Sequence, residues 1–171
     1  IKDLTHLDED EVELILVDDC SSDRSLKIAQ ERLKYRKNTQ LISLKSNTIG
    51  GVATPANIGI RKARGKYIAF ADGDDRYLRE MFPEMLHVIE RDNTDVVMCD
   101  YYVLNQKDNR VSLPADANRW EEYESKKYSL SDIQLRRSLL RFLAPPWRKL
   151  YKRDFIIAND ILFPEVDFFF E

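Results

Sequence analysis

Two apolar, strand-forming runs in this sequence stop abruptly on aspartate, and that punctuation restricts the fold more than any other feature. Residues 12–17 (VELILV) form a run broken only by Glu13, as a strand covered on both faces should, and end at Asp18-Asp19. Residues 67–71 run straight into Asp72-Gly73-Asp74-Asp75. Around these runs the periodicity alternates. After a turn at residues 20–23, Leu26, Ile28, Ala29 and Leu33 recur at helical spacing, with Asp23 or Ser22 as N-cap and Arg32, Lys34, Arg36 and Lys37 near the C-terminus. A second strand fits residues 40–44; a polar loop over 45–55 carries Gly50-Gly51, and a helix over 56–64 ends at Gly65. Pro83 suits the first turn of a further helix with Met85, Leu86 and Ile89 facing the core, and residues 95–99 read as a fourth strand. The resulting order, β-α-β-α-β-α-β, predicts an α/β domain with a mostly parallel central sheet.

Beyond Asp100 the pattern loosens: residues 105–118 are polar and turn-rich, 120–129 are charged and aromatic, and a helix fits 130–143. The 171 residues suit one domain of roughly 150 residues better than two. A charged fraction of 33% with 43% hydrophobic residues excludes a disordered chain, and 27 basic against 30 acidic residues leaves a net charge of −3, which excludes a general nucleic-acid binder. Cys20 and Cys99 follow no metal or redox spacing, so they read as buried thiols in a reducing compartment. No apolar run reaches the roughly 18 residues of a membrane span, and no secretory signal is visible. Between residues 136 and 153 lie seven basic residues and no acid. That stretch could offset a diphosphate, meet an anionic membrane surface, or form a solvated helix face.

In an open parallel sheet, ligands bind beyond the carboxyl ends of the strands. Asp18, Asp19, Asp72, Asp74 and Asp75 would bring five carboxylates to that rim, although each cluster alone also reads as an Asp-rich turn or cap. Asp72 and Asp74, separated by a small glycine, can direct oxygen ligands at one hard cation such as Mg²⁺ or Mn²⁺. Such an ion takes few protein carboxylates and completes its shell with water and phosphate, which points to a nucleotide diphosphate. Neither GxxxxGK[ST] nor GxGxxG occurs. His6 and His87 are isolated and read as surface residues.

In order and spacing, four segments resemble the family 2 glycosyltransferases: Glu13 to Asp23 around VDD; Asn47, Gly50-Gly51 and Asn57-Ile-Gly59; Ala63 to Asp75 around ADGDD; and Pro146-Trp-Arg-Lys-Leu-Tyr151. The resemblance implies a GT-A fold, a Rossmann-like three-layer α/β/α arrangement, with residues 1–100 as the nucleotide-sugar half and 101–171 as the acceptor half of a single truncated catalytic domain. It implies Asp18, Asp19, Asn57 and Asp72 on the nucleotide side, Asp19 accepting from the base, with Asn57, together with Gly51 and Arg61, as structural or nucleotide-side support. It implies Asp72, Asp74 and Asp75 at a divalent metal, Mn²⁺ or Mg²⁺. The family's arginine before the helix asparagine is replaced here by Pro55-Ala56.

The implied reaction is inverting transfer from a nucleotide diphosphate sugar, UDP-linked in the first instance, to a hydroxyl of a saccharide or glycoconjugate in polysaccharide or glycoconjugate synthesis. Glu171 stands where a family Glu-Asp pair would begin, so the resemblance implies a base beyond the fragment; Asp167 and Glu171 are the candidates within it, and each also reads as a rim carboxylate. The chain reads as a fragment lacking the family's first strand. Trp147 and Tyr151 read either as an acceptor platform or as packing. Free thiols and the cytosolic nucleotide-sugar pool imply a cytoplasmic location, with peripheral membrane contact open. The alternatives are a non-catalytic nucleotide-binding module of the same fold and, with less support, a nucleotidyltransferase.

Overall fold

The computed structural model describes residues 3–49, 51–115, 117, 128–139 and 145–165. The expected alternation is present: β1 (Leu14–Asp18), α1 (Ser25–Leu33), β2 (Thr39–Ser43), α2 (Ala53–Lys62), β3 (Tyr67–Ala69), α3 (Met81–Arg91) and β4 (Val96–Met98). They are followed by a two-residue-per-strand hairpin, β5 (Val103–Leu104) and β6 (Val111–Ser112), then α4 (Ile133–Leu139), a 3₁₀ turn (Pro146–Arg148), β7 (Lys149–Lys152) and α5 (Arg153–Ala158). β1 and β2 pair in parallel, Leu14 against Thr39 through Asp18 against Ser43. β3 and β4 run in one direction but do not pair; β7 lies between them, antiparallel to both. The second sheet is therefore mixed.

Several boundaries differ from those expected. α2 begins at Ala53, three residues early, and so takes Pro55 into its first turn, where the missing N–H is not needed. α1 has Arg24, not Asp23 or Ser22, at its N-cap position; Asp23 instead accepts the Ser25 N–H at 2.8 Å from one residue further out. The helix expected over 130–143 is described over Ile133–Leu139, and Asp132 caps it by accepting the N–H groups of Gln134 at 2.8 Å and Leu135 at 3.3 Å. Residues 140–144 lie outside the described residues. The stretch 105–118 carries a hairpin, because Asn109 at φ +54° supplies the left-handed residue that the turn requires.

One carboxylate joins the two sheets. Glu13, immediately before β1, accepts the backbone N–H groups of Arg64 and Gly65 at Oε1 and the Arg64 Nε at Oε2. A side chain on Gly65 would press on the Tyr67 carbonyl at 3.3 Å, so glycine allows this close approach. Above this clasp, Ile15 of β1 and Phe70 after β3 pack on one apolar cluster built from Ile60 and Ala63 of the α2 region, Ile68 of β3 and Ile156 of α5. β1 and β3 thus start at one anchor and share one core. A second cluster, Met85 and Ile89 of α3 with Leu150 of β7, covers the mixed sheet.

The basic stretch 136–153 is not one solvated face. Arg148, 1% exposed, donates to the Cys99 carbonyl at 2.8 Å and to Asp100 at 3.1 Å, and lies over the Tyr101 ring. Lys149 donates to the Pro145 carbonyl at 2.7 Å, and its pKa is pulled down to about 8, first by burial and then by Arg148. Lys152 bonds Asn93, and Arg153 donates to the Ala63 carbonyl. Trp147 meets Tyr101 edge to face, and Tyr151 meets Phe70 in the same way, with burial pushing its phenol up to about 12. Both aromatics pack in the fold. The cysteines are free and half-buried, less enclosed than expected.

Burial alone would raise the Glu13 pKa, but the Arg64 and Gly65 N–H groups and the Arg64 guanidinium hold it below the usual carboxylate range. Its stabilisation is therefore present above the unfolded value near 4.5 and lost as pH falls through the lower folded value. Glu13→Gln is expected to cost about 1–3 kcal/mol at pH 7, read from urea midpoints. The gap to the parent protein should narrow on acidification; a gap independent of pH would show that the charge is not what holds the clasp.

Candidate functional site

The carboxyl end of β1 divides its two aspartates between fold and surface. Asp18 is buried at 6% exposure; its Oδ2 accepts the Ser43 hydroxyl at 3.2 Å and the Ser21 N–H at 3.4 Å. It pins the following loop to β2. Asp19 is half-exposed. Its Oδ1 accepts the Thr48 N–H at 2.9 Å and its Oδ2 the Thr48 hydroxyl at 3.1 Å. Two donors from one residue fix the carboxylate plane, while each oxygen keeps a second lone pair. Cys20 then turns the chain at φ +58°, a conformation uncommon outside glycine. The result is a cleft of about 330 Å³ lined by Asp19, Cys20, Ser21, Ser22, Asp23 and Asn47. A larger hollow of about 430 Å³ lies between residues 6–12 and α3, but no strand-end aspartate lines it.

At the end of β3, Asp72, Asp74 and Asp75 share one exposed turn. The turn is closed by an Asp75 N–H to Asp72 carbonyl bond at 3.4 Å and held from beneath by Tyr77. The Asp72 N–H donates to the Tyr77 hydroxyl at 2.7 Å, and that hydroxyl lies 3.4 Å from the Asp72 carbonyl. Burial keeps the Tyr77 phenol protonated well above its ordinary range, and the ring stacks on Phe82 of α3. The adjacent guanidinium does not neutralise the turn: Arg76 is drawn to Asp3 at 2.7 Å. Partial desolvation, then Asp75 and Asp74, hold the Asp72 carboxyl above its usual range, and desolvation and Asp74 do the same to Asp75.

Among the described residues no cation pairs with these three aspartates, and no group of three His, Cys, Asp or Glu side chains is already gathered in ligating geometry. Asp72, Asp74 and Asp75 nevertheless share one solvent-facing turn in which Asp75 and Asp74 add to the cost of ionising Asp72, and Asp74 to that of ionising Asp75, leaving negative charge there uncompensated; oxygen donors of this kind are the chemistry a hard divalent ion takes.

Asn57, expected on the nucleotide side, is 1% exposed and bonds the Phe163 backbone and Glu165. Arg61 lies 3.9 Å from Glu165, and Gly51 takes φ +58° just before α2. Asp167 and Glu171 lie outside the described residues. The residues that sequence reasoning missed are Thr48 and Tyr77. A threonine in a polar loop and a tyrosine after an acidic turn carry no periodic signal, and only the folded chain brings them to Asp19 and Asp72.

This arrangement is the GT-A fold. The chain superimposes on a crystal structure of S. aureus TarS residues 1–349 with a TM-score of 0.69 at 25% identity, covering 93% of this chain and 43% of that one. It also superimposes on the same protein in complex with UDP-GlcNAc, with a TM-score of 0.68 at 26% identity, covering 92% and 41%. Residues 1–157 match the model of glycosyl transferase family 2, and the chain belongs to that family. It is 33% identical over 157 residues to the uncharacterised glycosyltransferase EpsJ of Bacillus subtilis, covering 91% of this chain and 43% of that protein. It is 27% identical to TarS, a poly(ribitol-phosphate) β-N-acetylglucosaminyltransferase of Staphylococcus aureus, covering 91% and 24%. The chain spans less than half the length of these relatives.

The raised carboxyls give a pH prediction. A carboxylate whose folded pKa is raised adds stability below its unfolded value near 3.8 and loses it as pH rises through the folded value, so at pH 7 the ionised turn is a net strain. Asp75→Asn is expected to raise the thermal midpoint at pH 7, with the gain fading towards pH 4. Calorimetry at the two pH values checks this; a lower midpoint at pH 7 would contradict it.

Proposed function

We propose that this chain forms the donor-binding part of an inverting glycosyltransferase that moves a sugar from a UDP-sugar to a hydroxyl of a saccharide or glycoconjugate, in the cytoplasm. The observation that carries this reading is the pairing of two features on strands that share one anchor. One is a carboxylate fixed by Thr48 over a cleft at the end of β1; the other is an unneutralised aspartate turn at the end of β3. A uracil presents an N–H that Asp19 can accept, with Asp18 holding the loop beneath. A diphosphate presents charge that the turn alone would repel. A divalent ion held by Asp72, Asp74 and Asp75 would reconcile the two and stabilise the departing diphosphate when bound.

Membership of the family and the likeness to a protein crystallised with UDP-GlcNAc support a nucleotide-sugar donor. On this reading a carboxylate takes the acceptor proton as the acceptor oxygen attacks the anomeric carbon, and Asp167 and Glu171 are the candidates within this chain. None of the described helices is long and apolar enough to cross a membrane. The test is calorimetric titration with UDP, with and without Mn²⁺. Asp74→Ala should abolish the metal-dependent gain in affinity. Asp19→Ala should weaken UDP at least tenfold, about 1.4 kcal/mol, in both conditions. Binding unchanged in both folded variants would overturn the proposal.

A further inference from the structure

Asn57 sits on α2 with its carboxamide consumed by a segment more than 100 residues away. Its Nδ2 donates to the Phe163 carbonyl at 2.8 Å and to Glu165 Oε1 at 2.7 Å, and its Oδ1 accepts the Phe163 N–H at 2.9 Å. An amide nitrogen has two hydrogens, and both are used. At 1% exposure the group has no N–H left to offer a nucleotide. What it holds is informative. The Phe163 ring packs edge-on against Phe70 at 5.3 Å, and Phe70 stands two residues before Asp72. Phe163 also packs on the cluster containing Ile60, from the same helix as Asn57.

We propose that Asn57 is a positioning residue: it locks Phe163–Glu165 onto α2 and, through Phe163 on Phe70, fixes the attitude of the Asp72–Asp75 turn. Only a short amide suits the position. Aspartate has no donor for the Phe163 carbonyl or for Glu165, a hydrocarbon has neither donor nor acceptor, and glutamine is too long for the buried gap. The consequence for binding is specific. Because the clasp acts on the carboxylate turn and not on Asp19, its loss should reach the ligand through the metal-dependent part of binding.

The proposal rests on the donor-site reading, and two measurements on the intact protein separate them. In hydrogen exchange, Asn57→Asp should speed exchange of the amides in residues 161–165 and 70–77 by about tenfold, leaving β2 unchanged. Adding Glu165→Gln to Asn57→Asp, which returns a donor to the pair, should recover part of the protection. In UDP titration, Asn57→Asp should reduce the Mn²⁺-dependent gain at least fivefold, about 1 kcal/mol, with metal-free affinity unchanged. Glu165→Ala, which keeps both Phe163 bonds, gives a milder version should Asn57→Asp not fold. Faster exchange confined to 161–165 would overturn the coupling, and equal loss of UDP affinity with and without metal would make Asn57 a nucleotide contact instead. If the parent protein bound no UDP, the donor-site reading would fail, while the exchange experiment would still decide the clasp.

Discussion

The Glu13 clasp is the constraint on which the rest of this structure depends. β1 and β3 belong to separate ladders, so no backbone hydrogen bond between them sets their relative height. A single carboxylate accepting from Arg64 and Gly65 does so. A charged acceptor suits that task, since bonds from backbone N–H groups to an ionised oxygen are roughly twice as strong as neutral ones. The strand starts are tied there, and Ile15 and Phe70 pack on one core above it.

The strand ends carry more negative charge than the fold needs. Asp18 has hydroxyl and amide donors and sits within the structure, whereas Asp72, Asp74 and Asp75 have no cation partner among the described residues although Arg76 is next in sequence. Sending Arg76 to Asp3 leaves the turn short of positive charge. A fold optimised for stability alone would close that gap, and residues that violate local electrostatic economy are where function is expected. Four residues of the basic stretch are committed to the fold: Arg148, Lys149, Lys152 and Arg153 donate to carbonyls and side chains of the sheet and its flanking turns, whereas Arg136 and Arg137 are exposed.

Much of this was legible in the sequence. The near-continuous run over residues 12–17 foretold β1, and its one polar residue, Glu13, is the one that folding uses. The Asp-Gly-Asp-Asp turn at the end of β3 was legible because an apolar run stops there on aspartate, although such a run also reads as an ordinary turn. The mixed sheet was hidden, since β7 is a short KLYK segment whose lysines are not a half-buried strand's usual outward pattern, and its place between β3 and β4 depends on pairing across more than 50 residues. Asn57 was visible as a residue of interest, but its partners, 106 and 108 positions away, were not. Local periodicity records which residues are buried; it does not record what a buried amide is bonded to.

The central claim is that the carboxyl ends of β1 and β3 form one donor site. Diffraction from crystals soaked with UDP and Mn²⁺, collected at the manganese edge, tests it most directly. The account predicts an anomalous peak against the Asp72–Asp75 turn, bridged by diphosphate to a uracil that meets Asp19 in the cleft beside Thr48. Uridine density elsewhere, or manganese bound away from that turn, would contradict it.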